Sequence, residues 1–261
     1  MSSRRETFEL AAGTPRLEAR LSKADLHIVA SEDEHALVVE LTGSNPDEVR
    51  VEQCGSTVSV IEESSRRFRS PVGSVTVWLP AGGIVDVALG VGDLTVDATL
   101  EGLRVRTASG DVRVVEVTDR CEAKTASGDL RIEHIGNSAD ITTASGNVRI
   151  GSVGGDCTCT SAAGDVTVTE ADGTLTARTA AGDIHVSRFS GRELETKSMS
   201  GDVEVHVVPG RRVRYDFDSL SGKLRTRGGQ EPSETPEEER LPVDIRVKTL
   251  TGDLTLGVTE D

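Results

Sequence analysis

Apolar and polar residues alternate with period two along most of this chain, and the alternation restarts at a fixed interval. Val112 and Val114, Leu130 and Ile132, Val148 and Ile150, Val166 and Val168, Ile184 and Val186, Val203 and Val205, and Leu254 and Leu256 occupy the same two columns. Leu103 and Val105, or Ala139 and Ile141, alternate ahead of the intervening turn. Period-two alternation predicts β-strands with one buried face. Between the strands stands a repeated signature. Thr107-Ala108-Ser109-Gly110-Asp111 and Thr125-Ala126-Ser127-Gly128-Asp129 are identical, and Thr143-Ala144-Ser145-Gly146-Asn147 follows. Glycines recur every 18 residues at Gly92, Gly110, Gly128, Gly146, Gly164 and Gly182. Gly201, Gly222 and Gly252 follow at steps of 19, 21 and 30. Each unit thus reads as strand, tight turn, strand and second turn. The second turns carry Gly136-Asn137, Gly154-Gly155, Asp172-Gly173 and Ser190-Gly191, all turn-forming dipeptides.

Two short strands cannot bury an apolar face alone, but stacked copies of one unit can. The expected fold is all-β: a single-domain parallel β-solenoid of about nine two-strand coils, each roughly 18 residues long. Residues 1–70 read as an N-terminal β region of opening coils and cap. Strand-like runs there are Arg16–Leu21, Asp25–Ala30, Ala36–Leu41, Val49–Gln53 and Thr57–Ile61, and Val75–Leu79 follows. Residues 71–228 read as the regular repeats, with the register starting after Gly73. Residues 229–242 read as an acidic, Pro-containing mobile loop, and 243–261 as the final coil and C-terminus. The inner columns hold small or β-branched residues. A thin core of that kind accounts for only six aromatics in 261 residues.

The formal charge is −15, from 29 Lys+Arg against 44 Asp+Glu. That balance argues against nucleic acid, whose phosphates need clustered cations, and few aromatics are present to stack bases. Met1-Ser2-Ser3-Arg4-Arg5-Glu6-Thr7 has no apolar stretch behind it, so no signal peptide is expected. No window approaches the ~18 apolar residues of a spanning helix. The expected setting is cytoplasmic, without direct membrane insertion.

The recurring T-x-S-G-D unit, followed by alternating apolar residues, resembles the toastrack family of adhesin-labelled β-strand-repeat proteins. The resemblance covers at least residues 70–256. It implies a parallel β-solenoid, and partners in bacterial cell-envelope stress sensing. It implies no catalytic residues.

The turn columns hold the candidate chemistry. Asp93, Asp111, Asp129, Asp165, Asp183, Asp202 and Asp253 form one column, with Asn147 in line. Stacked carboxylates repel. Asp in a tight turn also accepts backbone hydrogen bonds, and that role is favoured over a row of bound cations. Arg106, Lys124, Arg178, Lys197 and Lys248 on one side, and Arg113, Arg131 and Arg149 on the other, can screen the column. Thr107, Thr125, Thr143, Ser161, Thr179, Ser198, Ser219 and Thr249 form a hydroxyl column, expected to bond within the turns. Cys121 and Cys157 share a column two coils apart, beyond disulfide reach. Cys157 and Cys159 alternate on one strand. With Cys54 they are expected to be free thiols in the core. His27, His35, His134, His185 and His206 share no motif spacing, although His185 and His206 fall on outward positions. No cofactor or metal is expected.

The favoured function is a non-enzymatic scaffold or interaction module whose partner is another protein. A self-assembling polymer resembling bactofilins is the alternative, because open solenoid ends can pair. Charge opposes that assembly, so a monomer or small homo-oligomer is expected, with end-to-end assembly as the polymer form. A surface adhesin, a glycan binder or a glycan-active enzyme ranks below these.

Overall fold

The structure, a computed structural model, describes residues 2–62, 72–227 and 241–259. The expected mobile segment Gln230–Glu239 lies outside the described residues. The chain is all-β apart from a 3-10 turn at Pro46–Glu48. It forms two compact units, Met1–His134 and Ile135–Asp261.

In the first unit the strands are β1 (Ser2–Glu9), β2 (Arg16–Lys23), β3 (Asp25–Ala30), β4 (Ala36–Gly43), β5 (Val49–Cys54) and β6 (Thr57–Glu62). They continue with β7 (Val72–Leu79), β8 (Gly83–Val91), β9 (Leu94–Ser109) and β10 (Val112–Ser127). β11 (Leu130–Ile135) lies at the junction of the units. Equivalent strands pair in parallel, and the repeat columns stay in register. Val112 stands beside Leu94, and Val114 beside Val96. Those columns begin earlier than Gly73, since Leu26 and Ile28 of β3 pair with Leu94 and Val96.

The coils do not stack in chain order. β2 pairs with β6 on one side and β8 on the other, and β3 lies between β7 and β9. The first coil is therefore threaded between the strands β6 and β7 and the coil that starts at Gly83. Its inward residues explain the position. Leu17, Ala19, Leu26 and Ile28 are at most 1% exposed, which requires cover on both sides. On β7, the edge away from β3 is closed by antiparallel β4, and β1 pairs antiparallel with β4. Arg5 of β1 lies over the Trp78 ring at 4.8 Å, a cation–π contact. β1 has no apolar alternation, and the sequence pattern did not predict it. Cys54 is exposed, contrary to the core position expected for it. It ends β5 beside Gly55, whose φ of +63° turns the hairpin outward.

β9 and β10 also depart from the two-strand pattern. Each runs 16 residues through the expected second turn. Neither carries a double glycine there. The chain rounds that corner by register shifts between Val114 and Glu116 and between Val117 and Arg120, as bulged strands do.

In the second unit the strands are β12 (Ser138–Ser145), β13 (Val148–Val153), β14 (Cys157–Ala163), β15 (Val166–Ala171), β16 (Leu175–Ala181) and β17 (Ile184–Phe189). β18 (Glu193–Ser200), β19 (Val203–Val207), β20 (Arg212–Ser221), β21 (Leu224–Arg227), β22 (Pro242–Thr251) and β23 (Leu254–Val258) complete it. The coil 243–258 is threaded too. β22 pairs with β18 and with β20, and β23 with β19 and β21. The coil 212–227 is thus outermost, although it comes earlier in the chain. Val243, Ile245, Val247 and Leu254 are at most 1% exposed, whereas the matching Tyr215 is 52% exposed. The coil with the wholly aliphatic interior takes the covered place.

Among the described residues the buried core is aliphatic, with one exception. Phe189 is fully buried beside Ala171, and the small alanine leaves room for the ring. A Cβ at Gly191 would fall 2.7 Å from that ring.

Candidate functional site

The Asp column is built by backbone approach. Gly110 has φ +131°, and a Cβ there would lie 2.0 Å from the Gly92 carbonyl oxygen. Successive turns therefore pack backbone on backbone. Each Asp closes this stack. The Asp93 carboxylate accepts the Asp111 N–H at 2.8 Å, and Asp111 accepts that of Asp129 at 2.9 Å. In the second unit Asn147 accepts from Asp165, Asp165 from Asp183, Asp183 from Asp202, and Asp202 from Asp253. Two members escaped the sequence pattern because no Gly precedes one and no Asp forms the other. Asp25 accepts from Asp93, and Asp253 accepts from the Lys223 N–H.

Cations answer the stacked charge at Asp111 and Asp253, among other described residues. Arg113 lies 3.9 Å from the outer oxygen of Asp111, and Arg225 lies 3.0 Å from that of Asp253. Lys124, Arg106, Lys197 and Arg178, expected to screen the column, bind Glu122 or Glu195 instead. Among the described residues no group of three or more His, Cys, Asp or Glu is placed to hold a metal ion.

An acceptor oxygen is what the Asp column requires, since Asn147 fills the same role. Asp183→Asn is therefore expected to leave the urea midpoint nearly unchanged. Asp183→Ala should cost about 1 kcal/mol, the value of one exposed charge-assisted hydrogen bond. Equal losses in both variants would show that charge, not acceptance, matters there.

Glu122 and Glu195 are the carboxylates most shifted by their surroundings. The Lys124 hydrogen bond at 3.0 Å, helped by Arg104 at 3.0 Å, holds the Glu122 carboxyl below the usual range against partial burial. Lys197 does the same for Glu195. A lowered folded pKa stabilises above the unfolded value and loses that effect as pH falls through the folded one. Glu122→Gln is thus expected to cost about 1 kcal/mol at pH 7. The gap should close in urea melts as pH drops below about 4.5.

The hydroxyl column is buried except at Ser219, from Thr143 at 2% exposure to Thr249 at 7%. Thr107 and Thr125 donate to the carbonyls of Ser109 and Ser127, and Thr179 to that of Gly164. Bonding within the turn fails at Thr179, which reaches the neighbouring coil, and at Thr143, Ser161, Ser198, Ser219 and Thr249, whose hydroxyls have no partner among the described residues. Cys121, Cys157 and Cys159 are buried and form no disulfide, and Sγ of Cys157 and Cys159 lie 3.5 Å apart.

The histidines bring together one constellation. Ser187 Oγ is 3.0 Å from His185 Nε2, and His185 Nδ1 is 3.1 Å from Glu204. His206 lies 3.2 Å from the other Glu204 oxygen. The order hydroxyl–imidazole–carboxylate is that of an activated nucleophile. It sits on the outward face of paired strands, where Thr167, His185 and Glu204 are neighbours in register.

The feature that sets the outer coils apart is the residue after the column Thr or Ser. It is alanine at Ala144, Ala162 and Ala180. In the last three coils it becomes Met199, Leu250 and Leu220, in stacking order, exposed by 57%, 45% and 83%. Beside them runs a cation row, because Arg178 pairs in register with Lys197, and Lys197 with Lys248. These side chains, with the unpartnered Ser198, Ser219 and Thr249, line an open groove of about 420 Å³. The Ala-to-Leu switch is visible in the sequence. Its meaning depends on the stacking order, which the sequence pattern did not predict.

The strand pairing and glycine-stacked turns define a β-solenoid of parallel coils with an amphiphilic groove at its outer coils. The toastrack family model, Toastrack DUF4097, matches residues 15–256, and the chain belongs to that family. No curated protein matches the sequence. Among solved structures, a putative lipid binding protein from Parabacteroides distasonis is similar at 12% identity and TM-score 0.50, covering 99% of this chain and 97% of that one. A putative adhesin from Bacteroides fragilis is similar at 13% identity and TM-score 0.49, with the same coverage of each chain. These likenesses concern the fold alone.

Proposed function

We propose that this chain is a non-catalytic interaction module that docks another protein on the groove of its outer coils. The observation that carries this reading is the ridge of Met199, Leu250 and Leu220 beside Arg178, Lys197 and Lys248. Contiguous exposed apolar side chains rimmed by charge mark interaction surfaces. Arg178 and Lys197 are paired with Glu195 and Asp218 stands in register beside Lys248, but Lys248 makes no ion pair among the described residues and is the cation left for an acidic partner segment. The chain as a whole carries a formal charge of −15, so a cation row of this kind gives an acidic partner a preferred face.

The test compares capture by the native chain with capture by the variant Met199→Ala, Leu220→Ala, Leu250→Ala. The same partner must be recovered reproducibly by the first and lost in the second. Equal recovery by both removes the groove from the function. The non-catalytic part is tested at Ser187 with a fluorophosphonate probe. No labelling is expected. Labelling that disappears in His185→Ala would show an active nucleophile and overturn that part.

A further inference from the structure

We propose that β20 pairs antiparallel with β20 of a second copy, about a two-fold axis at Tyr215. Among the described residues β20 has one neighbouring strand, β22. Among the described residues its other edge has no partner, whereas that of β7 is covered by antiparallel β4. The Arg212 N–H donates to the Leu241 carbonyl. Main-chain groups alternate in direction along a strand. Those of Arg212, Arg214, Asp216 and Asp218 therefore face β22. Those of Val213, Tyr215 and Phe217 face the open edge, ready for a further strand.

The sequence of this edge is self-complementary. It reads Arg212-Val213-Arg214-Tyr215-Asp216-Phe217-Asp218. Reversed about Tyr215, Arg212 meets Asp218 of the second copy and Arg214 meets Asp216. Val213 meets Phe217, and Tyr215 meets itself. The charged residues share the outward face, and the apolar ones share the inward face with Val243, Ile245 and Val247. Both faces thus match their own kind, which an even register requires. The Arg–Asp pairs fall at sites that do not exchange hydrogen bonds, where opposed side chains approach most closely. They also extend an existing pattern, because Arg214 already neighbours Asp244, and Asp216 neighbours Arg246. The contact covers Tyr215, the most exposed residue of the inward column. A two-fold contact of one patch with itself closes at a dimer and does not propagate into a filament. The proposal concerns the edge of β20, whose Asp218, Ser219 and Leu220 also line the groove, so the two contacts adjoin.

The test is the mass of the full chain by light scattering and sedimentation, from about 1 to about 300 µM, in about 0.15 M salt. At that ionic strength the Debye length is about 8 Å, which screens the mutual repulsion of two acidic chains. The expected mass rises with concentration from 27.6 kDa toward twice that value. Asp216→Arg with Asp218→Arg makes the edge wholly cationic, and Arg212→Asp with Arg214→Asp makes it wholly anionic. Each variant alone should dimerise at least about tenfold more weakly, and an equimolar mixture should recover the dimer. Tyr215→Pro controls for folding. It removes an N–H that faces the open edge, keeps the bonds to β22 and should be monomeric. In a Cys54→Ser background, Tyr215→Cys should be joined to its symmetry mate by a short bis-maleimide. A native chain that stays monomeric throughout overturns the proposal. So does a dimer that survives both charge reversals or Tyr215→Pro, or one that the Tyr215→Cys pair does not crosslink.

Discussion

Gly182→Val is expected to abolish folding of the second unit. Gly182 has φ +143°, a conformation that side-chain-bearing residues rarely adopt, and a Cβ would stand 2.3 Å from the Gly164 carbonyl oxygen. The backbone strain alone costs about 1–3 kcal/mol. The overlap cannot be relieved by rotating a side chain, because the obstructing atom is backbone in the next coil. Moving that coil would stretch the bonds that the Gly164 and Val166 N–H groups donate to the carbonyls of Ala181 and Asp183. The total exceeds about 4 kcal/mol, a large share of the roughly 5–15 kcal/mol that a domain holds in reserve. Gly210→Ala is the internal control. Gly210 has φ +77°, yet nothing lies within 4 Å of its would-be Cβ. It should cost only the conformational penalty, about 1–2 kcal/mol. Circular dichroism and urea melts of both variants separate strain from stacking. Similar midpoints would mean that the turn column tolerates side chains.

A chain ending at Leu241 is expected to lose ordered structure in residues 212–227 as well as the deleted strands. β22 and β23 stand between β18–β19 and β20–β21. Deleting them removes Val243, Ile245, Val247 and Leu254 from the core, at about 2 kcal/mol for each fully buried aliphatic side chain. It also removes the main-chain partners of β20. A solenoid stacked in chain order would behave differently, since its last coil could be cut without disturbing the one before. Amide hydrogen exchange decides the matter. Fast exchange across 212–227 with retained protection in 157–207 is the expected result. Retained protection across 212–227 would mean that β20 can re-dock on β18, and that the threaded order is not required by packing.

Both results bear on where interaction can occur. The groove and the open β20 edge are both products of the threaded coil. Lys248 and Leu250 arrive beside Lys197 and Met199 only because β22 inserts there. The same insertion places Leu220 at the margin and leaves Arg212–Asp218 unpaired on one side.

Much of this was legible from residues alone. The run at Val75–Leu79 and those within 16–61 correspond to strands whose ends move by only a few residues. The alternation is strict there, and a one-residue slip would turn buried Val and Leu to solvent. The Thr/Ser column is buried at seven of its eight positions, as its parity required. β1 was not legible, because two of its three half-buried positions carry charge, Arg4 and Glu6 beside Phe8, which gives no apolar alternation. Cys54 was misplaced because a hairpin turn, not the coil register, governs its position.

The sequence by itself determined the unit: its period, its two faces, the Gly–Asp turn and the small-residue core. Those are local or nearest-neighbour properties, repeated often enough to be read without coordinates. The order in which the units stack was decided only by the tertiary structure. Every coil presents similar columns to its neighbours, so pairing rules permit many orders. What selects one is the whole-coil difference in apolar content. The aliphatic coils at 17–28 and 243–256 are driven to covered places. The coil bearing Arg212, Arg214, Asp216 and Asp218 can remain at an edge. That competition compares segments distant along the chain, which no periodicity within one segment expresses.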